Sequence, residues 1–271
     1  MPRVRSDSAG VDYVDQGLGD PALLLLPEWC GTRAAFDPVL GYLRRRVLSL
    51  DWRGHGASGP THSDFGLEDL TNDALAVVAD SGAPAVVPVA LAQAGWVAVE
   101  LRRRLGHAIP GLVLVDWIVS EAPSWLLVTL EDLRSDADRD EAVAGLLQQW
   151  QAGATDKALA AYLADMGAAP GELWDVAARE IETAYAGHSS PLKALAGPAR
   201  PAPVLHLVPA RGEPGRMERE QAYSAEHHWY RAAPLEARSH FPLFEDPRQA
   251  ADEIERFVRR VGGRRISRGA A

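Results

Sequence analysis

The stretch that decides the fold is Ala90-Leu91-Ala92-Gln93-Ala94-Gly95-Trp96, which joins an apolar run over residues 85–90 to a helical pattern over Gly95–Leu105. A sharp strand-to-helix turn needs small residues around its apex, because the backbone is tight and the helix packs closely on the strand. Ala92 occupies the apex, where enzymes that use such a turn place a nucleophile. A methyl group cannot attack a substrate, so the segment predicts this turn without a nucleophile. An ordinary strand-helix turn is the alternative.

Apolar runs alternate with helical patterns outward from this turn. The runs cover residues 22–26, 46–50, 85–90, 112–115, 203–208 and, more weakly, 232–235, and helical spacing covers residues 67–81, 95–105 and 247–261. Continuous apolar runs separated by helices predict an α/β fold with a doubly wound, mostly parallel sheet buried on both faces. No strand pattern interrupts residues 119–196, which we interpret as an inserted helical cap. The predicted core then comprises residues 1–118 and 197–271.

Composition excludes several classes of function. The chain has 271 residues, 47% of them hydrophobic, with a formal charge of −9 and one cysteine, Cys30. An acidic chain without a basic, aromatic stripe is a poor partner for nucleic acid or for an anionic membrane surface. With no apolar segment near the ~20 residues that span a bilayer and no cysteine pair, we expect a cytoplasmic protein, a monomer or homodimer. Abundant Ala, Arg and Gly hint at a bacterial source.

The residues that follow each strand are candidates for the site, because ligands of doubly wound sheets bind at the carboxyl ends of the strands. Pro27-Glu28-Trp29-Cys30-Gly31 follows the first run. In proteins with the turn described above, this loop and the residue after the apex each donate a backbone N–H to an oxyanion hole. The donors here would be Trp29 and Gln93. Simple packing is the alternative for Trp29, and we expect packing for Cys30.

A histidine and an aspartate complete the candidate machinery. His240 follows the last weak strand, where a general base is expected, and Asp116 ends the run over residues 112–115. A carboxylate at the end of a buried strand needs a polar partner, and imidazole is the usual one. No Asp follows residues 203–208, so Asp116 is the candidate to orient His240, with Glu213 as the alternative. Taken alone, Asp116 could instead serve as a helix cap or in a turn.

The sequence predicts no metal, flavin or nicotinamide site. The other histidines do not group at metal-ligand spacing, and no phosphate-binding glycine loop occurs. His55, in an Arg-Gly-His-Gly turn, is expected to be structural. A pocket lined by Trp29, Trp117, Trp125 or Trp150 would suit a flat aromatic ligand.

Taken together, these residues resemble the cofactor-independent 2,4-dioxygenases of 3-hydroxy-4-oxoquinolines, a branch of the α/β-hydrolase superfamily. The resemblance covers about residues 22–259. The motifs that carry it are Leu24-Leu25-Leu26-Pro27-Glu28-Trp29-Cys30, Asp51-Trp52-Arg53-Gly54-His55-Gly56, Asp64-Phe65-Gly66, Gly95-Trp96-Val97, Val115-Asp116-Trp117, Trp150 and His240-Phe241-Pro242.

The resemblance implies an oxygenase without metal or organic cofactor. His240, oriented by Asp116, would remove a proton from the substrate hydroxyl, and the anion would react with O2 to open the ring and release carbon monoxide. Trp29 and Trp150 would line the cavity for the small aromatic substrate and O2. Such an enzyme would belong to secondary metabolism.

The chain departs from this family at the elbow and in the first loop. The family has a serine flanked by histidines where this chain has Leu91, Ala92 and Gln93, and a histidine where this chain has Gly31. The family serine hydrogen-bonds the substrate and does not attack it, so its loss is compatible with proton abstraction. We predict that Leu91, Ala92, Gln93 and Gly31 contact the substrate, together with Trp29, Trp117 and Trp150. A more apolar pocket and a different substrate are the expected result.

Four functions remain open from the sequence. The first is a cofactor-free oxygenase acting on a hydroxylated aromatic or N-heteroaromatic compound. The second is a non-oxidative lyase, cyclase or isomerase that uses the same base. The third is a non-catalytic ligand-binding module, and the fourth is ester hydrolysis with an unforeseen nucleophile, since no serine occupies the elbow.

Overall fold

The computed structural model describes residues 3–6, 9–61, 64–197, 201–210 and 214–263. Within these residues eight strands form one sheet. The strands are β1 (Arg3–Ser6), β2 (Ala9–Gln16), β3 (Ala22–Leu26), β4 (Val47–Leu50), β5 (Val86–Leu91), β6 (Leu112–Val115), β7 (Val204–Pro209) and β8 (Tyr230–Leu235).

The strand order is β1-β2-β4-β3-β5-β6-β7-β8. The pairs β1/β2 and β2/β4 are antiparallel, and every other neighbouring pair is parallel. All residues of β3 to β7 are buried, as expected for strands covered on both faces. The predicted doubly wound, mostly parallel sheet is therefore confirmed.

Eleven α-helices accompany the sheet in the described part of the chain. They are α1 (Asp37–Leu40), α2 (Leu67–Ser81), α3 (Gly95–Leu105), α4 (Ser124–Arg134), α5 (Arg139–Gln151), α6 (Lys157–Gly167), α7 (Gly171–His188), α8 (Pro191–Ala196), α9 (Arg216–Glu226), α10 (Pro242–Glu245) and α11 (Pro247–Gly263). Helices α4 to α8 all lie between β6 and β7. No described helix is long and apolar enough to cross a membrane.

The main differences from the sequence prediction lie in polar elements. Strands β1 and β2 escaped prediction because they form the edge of the sheet and are largely half-exposed, so their sequences lack a continuous apolar run. Helix α9 escaped prediction because Glu220 is its only buried residue. The weak run predicted over residues 232–235 begins two residues earlier in the structure, at Tyr230.

A buried ion pair fixes the loop that follows β4. The guanidinium Nη2 of Arg53 donates to Asp73 Oδ1 on α2 at 2.6 Å, and Arg53 Nε donates to Asp73 Oδ2 at 2.9 Å. The side chain of Arg53 is 2% exposed and that of Asp73 is 0% exposed. This bidentate pair holds the β4 loop against helix α2, at the carboxyl edge of the sheet where β3, β5 and β6 also end.

Candidate active site

The turn after β5 has the backbone of a nucleophile elbow. Ala92 has φ of 42°, in the left-handed region that L residues seldom adopt. A Cβ on Gly95 would lie 2.3 Å from a ring carbon of Trp117, so only glycine permits the close approach of α3 to this ring. The turn therefore has the strained, left-handed backbone conformation of a nucleophile elbow, with alanine at its apex.

His240 lies between two carboxylates. Its Nδ1 donates to Asp116 Oδ2 at 2.7 Å, and its Nε2 lies 3.0 Å from Glu28 Oε2. Asp116 follows β6, Glu28 follows β3, and His240 lies between β8 and α10. The structure therefore brings together the predicted pair and adds a second carboxylate from the first loop.

Trp150 contacts both the ring and the backbone of His240. Its indole stacks on the His240 ring with centroids 4.8 Å apart and planes 18° apart, and its carbonyl oxygen accepts the His240 backbone N–H at 2.8 Å. Trp150 is the penultimate residue of α5. The end of this helix thus orients the imidazole through both its backbone and its side chain.

Asp116 is held by an arginine that sequence reasoning missed. Arg216, the first residue of α9, donates from Nη1 to Asp116 Oδ1 and from Nη2 to the Trp117 carbonyl at 2.9 Å. Asp116 has φ of 46°, which directs the chain sharply after β6. Its two carboxylate oxygens therefore have separate partners, one cationic and one the imidazole. Glu213, the alternative orienting residue, lies outside the described residues.

The three groups shift one another's proton affinities. Burial opposes ionisation of Asp116, but the positive charges of Arg216 and His240 outweigh it and hold the pKa of Asp116 well below its usual range. Burial likewise opposes the charged form of His240, but the carboxylates of Glu28 and Asp116 raise the pKa of His240 to about 10. Burial raises the pKa of Glu28, and Asp116 adds to this while His240 opposes it.

This raised pKa of His240 predicts a pH dependence of stability. Between the unfolded pKa near ~6.5 and the folded value of about 10, the native state binds a proton that the unfolded state does not. The free energy of unfolding should therefore fall as pH rises through this window, by at most about 1.4 kcal/mol per pH unit. Urea unfolding from pH 6 to 10.5 measures it, with His240→Gln as the control that lacks the decline. Parallel curves for the two proteins would contradict it.

The loop after β3 is fixed by a structural histidine. His55 Nε2 accepts the backbone N–H of Cys30 at 3.1 Å, while its Nδ1 donates to the Arg53 carbonyl at 2.8 Å. Burial lowers the pKa of His55, which favours this neutral ring. Cys30 has φ of 63° and a buried thiol. His55 therefore positions the loop that carries Glu28 and Trp29.

A cavity of about 550 Å³ opens beside these groups. Of the residues singled out from the sequence, Trp29, Ala92, Gln93, Asp116, Trp125, Trp150 and His240 line it. Helices α4, α5 and α7 contribute an apolar wall that includes Leu126, Leu130, Leu133, Leu146, Ala177 and Ile181. The volume lies within the range of small-molecule sites, and apolar walls with few polar groups are typical of them.

Three predicted site residues lie behind the cavity wall. Leu91 and Trp117 are buried in the core. The Trp117 indole N–H donates to Gln93 Oε1 at 3.1 Å, so Trp117 orients the Gln93 side chain. Gly31 is buried against α6, where a Cβ would lie 2.3 Å from the Tyr162 hydroxyl oxygen. None of the three is among the described residues that line the cavity. Tyr162 therefore fills the space that a side chain at position 31 would need.

Sequence reasoning missed three wall residues. Glu28 lies in the motif that follows the first strand, and a glutamate close after a buried apolar strand is a signal of the same kind as Asp116. Trp174 on α7 also lines the cavity, with its ring centroid 6.3 Å from that of Trp150. Arg216 carried no signal, because it lies in a polar helix one hundred residues beyond its partner Asp116.

The chain is similar to proteins of known activity along most of its length. The model of the alpha/beta hydrolase family matches residues 23–253. A 2-heptyl-3-hydroxy-4-quinolone dioxygenase of Rhodococcus erythropolis is 32% identical over 92% of this chain and 94% of its own length. A 2-heptyl-3-hydroxy-4(1H)-quinolone dioxygenase of Mycobacteroides abscessus is 30% identical over 90% and 92%.

A solved structure agrees with these relatives. An AqdC variant in complex with its substrate, described with the recognition and ring cleavage of the Pseudomonas quinolone signal, superposes with a TM-score of 0.90. It is 27% identical, and the match covers 97% of this chain and 99% of that one.

Proposed function

The chain belongs to the alpha/beta hydrolase family, in the group of the quinolone dioxygenases, and from that premise we propose that it cleaves the ring of a 2-alkyl-3-hydroxy-4-quinolone with O2. The observation that carries the proposal is the Asp116–His240 pair at the wall of an aromatic cavity whose elbow has no nucleophile. A site that can stabilise and accept a proton but has no nucleophile serves deprotonation rather than acyl transfer.

Deprotonation is the step that these residues can catalyse. The base removes the proton of the 3-hydroxyl, and its electron pair stays on the substrate as an electron-rich anion. This anion adds O2, and collapse of the resulting cyclic peroxide opens the ring and releases carbon monoxide. A positioned base supplies about 10²–10⁴-fold to such a proton transfer. No organic cofactor or metal has a part in the proposed reaction.

Backbone donors at the elbow fit the charge that develops on the substrate. Trp29 and Gln93 both line the cavity, and their N–H groups are the pair assigned to an oxyanion hole in this fold. The Trp117 indole and the strained turn at Ala92 fix Gln93 in position. We assign these two N–H groups to the oxygen substituents of the quinolone.

The apolar wall supports an alkyl substituent on the substrate. Leu126, Leu130 and Leu133 of α4 face the cavity together with Leu146 of α5 and Ile181 of α7. A chain of methylene groups gains about 0.8 kcal/mol for each group buried against such a wall. Trp29 and Trp150 provide flat surfaces for the bicyclic ring.

We expect the purified protein to consume O2 with 2-heptyl-3-hydroxy-4-quinolone and to release one carbon monoxide per O2, because an ionised 3-hydroxyl supplies the electrons. Oxygen-electrode traces and carbon monoxide detection in the presence of chelator measure this. The control substrate is 2-heptyl-4-quinolone, which lacks the hydroxyl and should be inert. Product formation under strict anaerobiosis would instead identify a non-oxidative lyase or isomerase.

A further inference from the structure

Both ring nitrogens of His240 face carboxylate oxygens, Asp116 Oδ2 at 2.7 Å and Glu28 Oε2 at 3.0 Å. An ionised carboxylate only accepts hydrogen bonds, so both contacts are hydrogen bonds only when each nitrogen carries a proton. With Glu28 ionised and both carboxylates raising the pKa of His240 to about 10, the ring is an imidazolium at neutral pH. It has no lone pair left to receive a proton from a substrate.

Glu28 has the acceptor that His240 lacks. Its Oε1 is buried and has no hydrogen-bond partner among the described residues. The residue is 3% exposed and lines the cavity. A buried carboxylate oxygen without a donor is costly, and a hydroxyl group of a bound ligand would supply the missing donor.

We propose that Glu28 is the final acceptor of the substrate's hydroxyl proton, while His240 stays an imidazolium beside the substrate oxyanion. The inference rests on the proposed function for the identity of the substrate. In the step, the substrate O–H bond breaks, its electron pair stays on the substrate oxygen, and a new O–H bond forms on the Glu28 carboxylate. No other reactant is needed.

The charges around Glu28 suit this transfer. The resting site holds two carboxylates, the imidazolium and the Arg216 guanidinium on Asp116, and transfer neutralises Glu28 as the substrate becomes negative. The imidazolium then faces one ionised carboxylate, that of Asp116, and the new anion. Among the described residues, Cys30 of the same loop and Tyr162 of α6 also face Glu28, and both are neutral because burial raises the pKa of each. Burial also raises the pKa of Glu28 and makes it a stronger base.

The competing interpretation is that Glu28 only occupies Nε2 until the substrate arrives. The substrate hydroxyl would then displace Glu28, and a neutral His240 paired with Asp116 would be the base. Removal of the Glu28 charge would in that case leave deprotonation intact or speed it. The two interpretations therefore predict opposite results for Glu28→Gln.

The test is the ionisation state of bound substrate in Glu28→Gln under anaerobic conditions. Absorbance distinguishes the neutral 3-hydroxy-4-quinolone from its anion without any reaction with O2. Glu28→Asp serves as the conservative variant. Glu255→Gln is the matched control, because Glu255 is 5% exposed and pairs with Arg45 outside the cavity.

We expect the anion in the wild type and in Glu255→Gln, the neutral form in Glu28→Gln, and partial recovery in Glu28→Asp. The kcat of Glu28→Gln should fall by about 10²-fold. It should return to near the wild-type value with a substrate analogue acidic enough to be ionised before it binds. Full anion formation in Glu28→Gln would overturn the proposal.

A measurement without substrate tests the resting state. Nitrogen chemical shifts of the His240 ring should show an imidazolium at pH 7.5 in the wild type and a lower pKa in Glu28→Gln. A neutral ring in the wild type would overturn the proposal. Failure of the proposed function is distinct, because a protein that forms the anion through Glu28 but consumes no O2 would refute only the oxygenase.

Discussion

Replacement of His240 by alanine is expected to lower kcat for a 3-hydroxy-4-quinolone by about 10²- to 10³-fold. The ring contacts both carboxylates of the site and stacks on Trp150, so its loss removes the positive charge that holds the substrate anion. It also leaves two buried carboxylates facing each other, which raises their proton affinity. Initial rates of O2 uptake measure the effect.

The control for this variant is His107→Ala, because His107 is exposed in a turn after α3 and away from the cavity. Circular dichroism should show that both variants are folded. Imidazole added to His240→Ala should restore part of the rate, since it can occupy the space of the missing ring. Wild-type turnover in His240→Ala would refute the assignment of the site.

Replacement of Asp73 by alanine is expected to lower the free energy of unfolding by about 3 kcal/mol. The change leaves the guanidinium of Arg53 buried without its bidentate partner. The desolvation cost of that charge is then no longer offset, because the contacts of Arg53 with Ser6 and with the partly exposed Asp69 do not replace the buried bidentate pair. Urea unfolding monitored by fluorescence measures the loss.

Asp69→Ala is the matched control on the same helix. Asp69 also pairs with Arg53, at 3.0 Å, but its side chain is 35% exposed and its other role is to accept the Gly66 N–H at the start of α2. A partly exposed pair and one helix cap together account for about 1 kcal/mol. Equal decreases in the free energy of unfolding of the two variants would show that the buried Arg53–Asp73 pair stabilises the fold no more than the partly exposed pair does.

The proposed reaction needs no nucleophile at the elbow. In the proposed function, the N–H groups of Gln93, after the strained turn at Ala92, and of Trp29, in the loop after β3, would form the oxyanion hole. Asp116 and Glu28, which each lie within hydrogen-bond distance of His240, are together with it the groups that we propose hold and move the proton. What is absent at position 92 is the hydroxyl group that covalent catalysis would require.

The sheet and the predicted pair could be inferred from the sequence because their signals are local. Strands β3 and β6 and helices α2 and α3 match the predicted ranges to the residue, since buried parallel strands are continuous apolar runs and amphipathic helices have a regular period. Asp116 and His240 were found because each follows a strand. The edge strands β1 and β2 and the polar helix α9 lack such signals.

By itself, then, the sequence determined the succession of strands and helices along the chain. It also determined that the apex of the turn, Ala92, has no nucleophile, and which polar residues follow the strands. Only the tertiary structure decided which of these residues meet. The contacts of Glu28 with His240 and of Arg216 with Asp116 join residues 212 and 100 positions apart. Such contacts depend on how the strands and α9 pack together, and no local pattern encodes that packing. The same packing placed Gly31, Leu91 and Trp117 behind the wall, because a residue type alone does not specify the direction in which its side chain points.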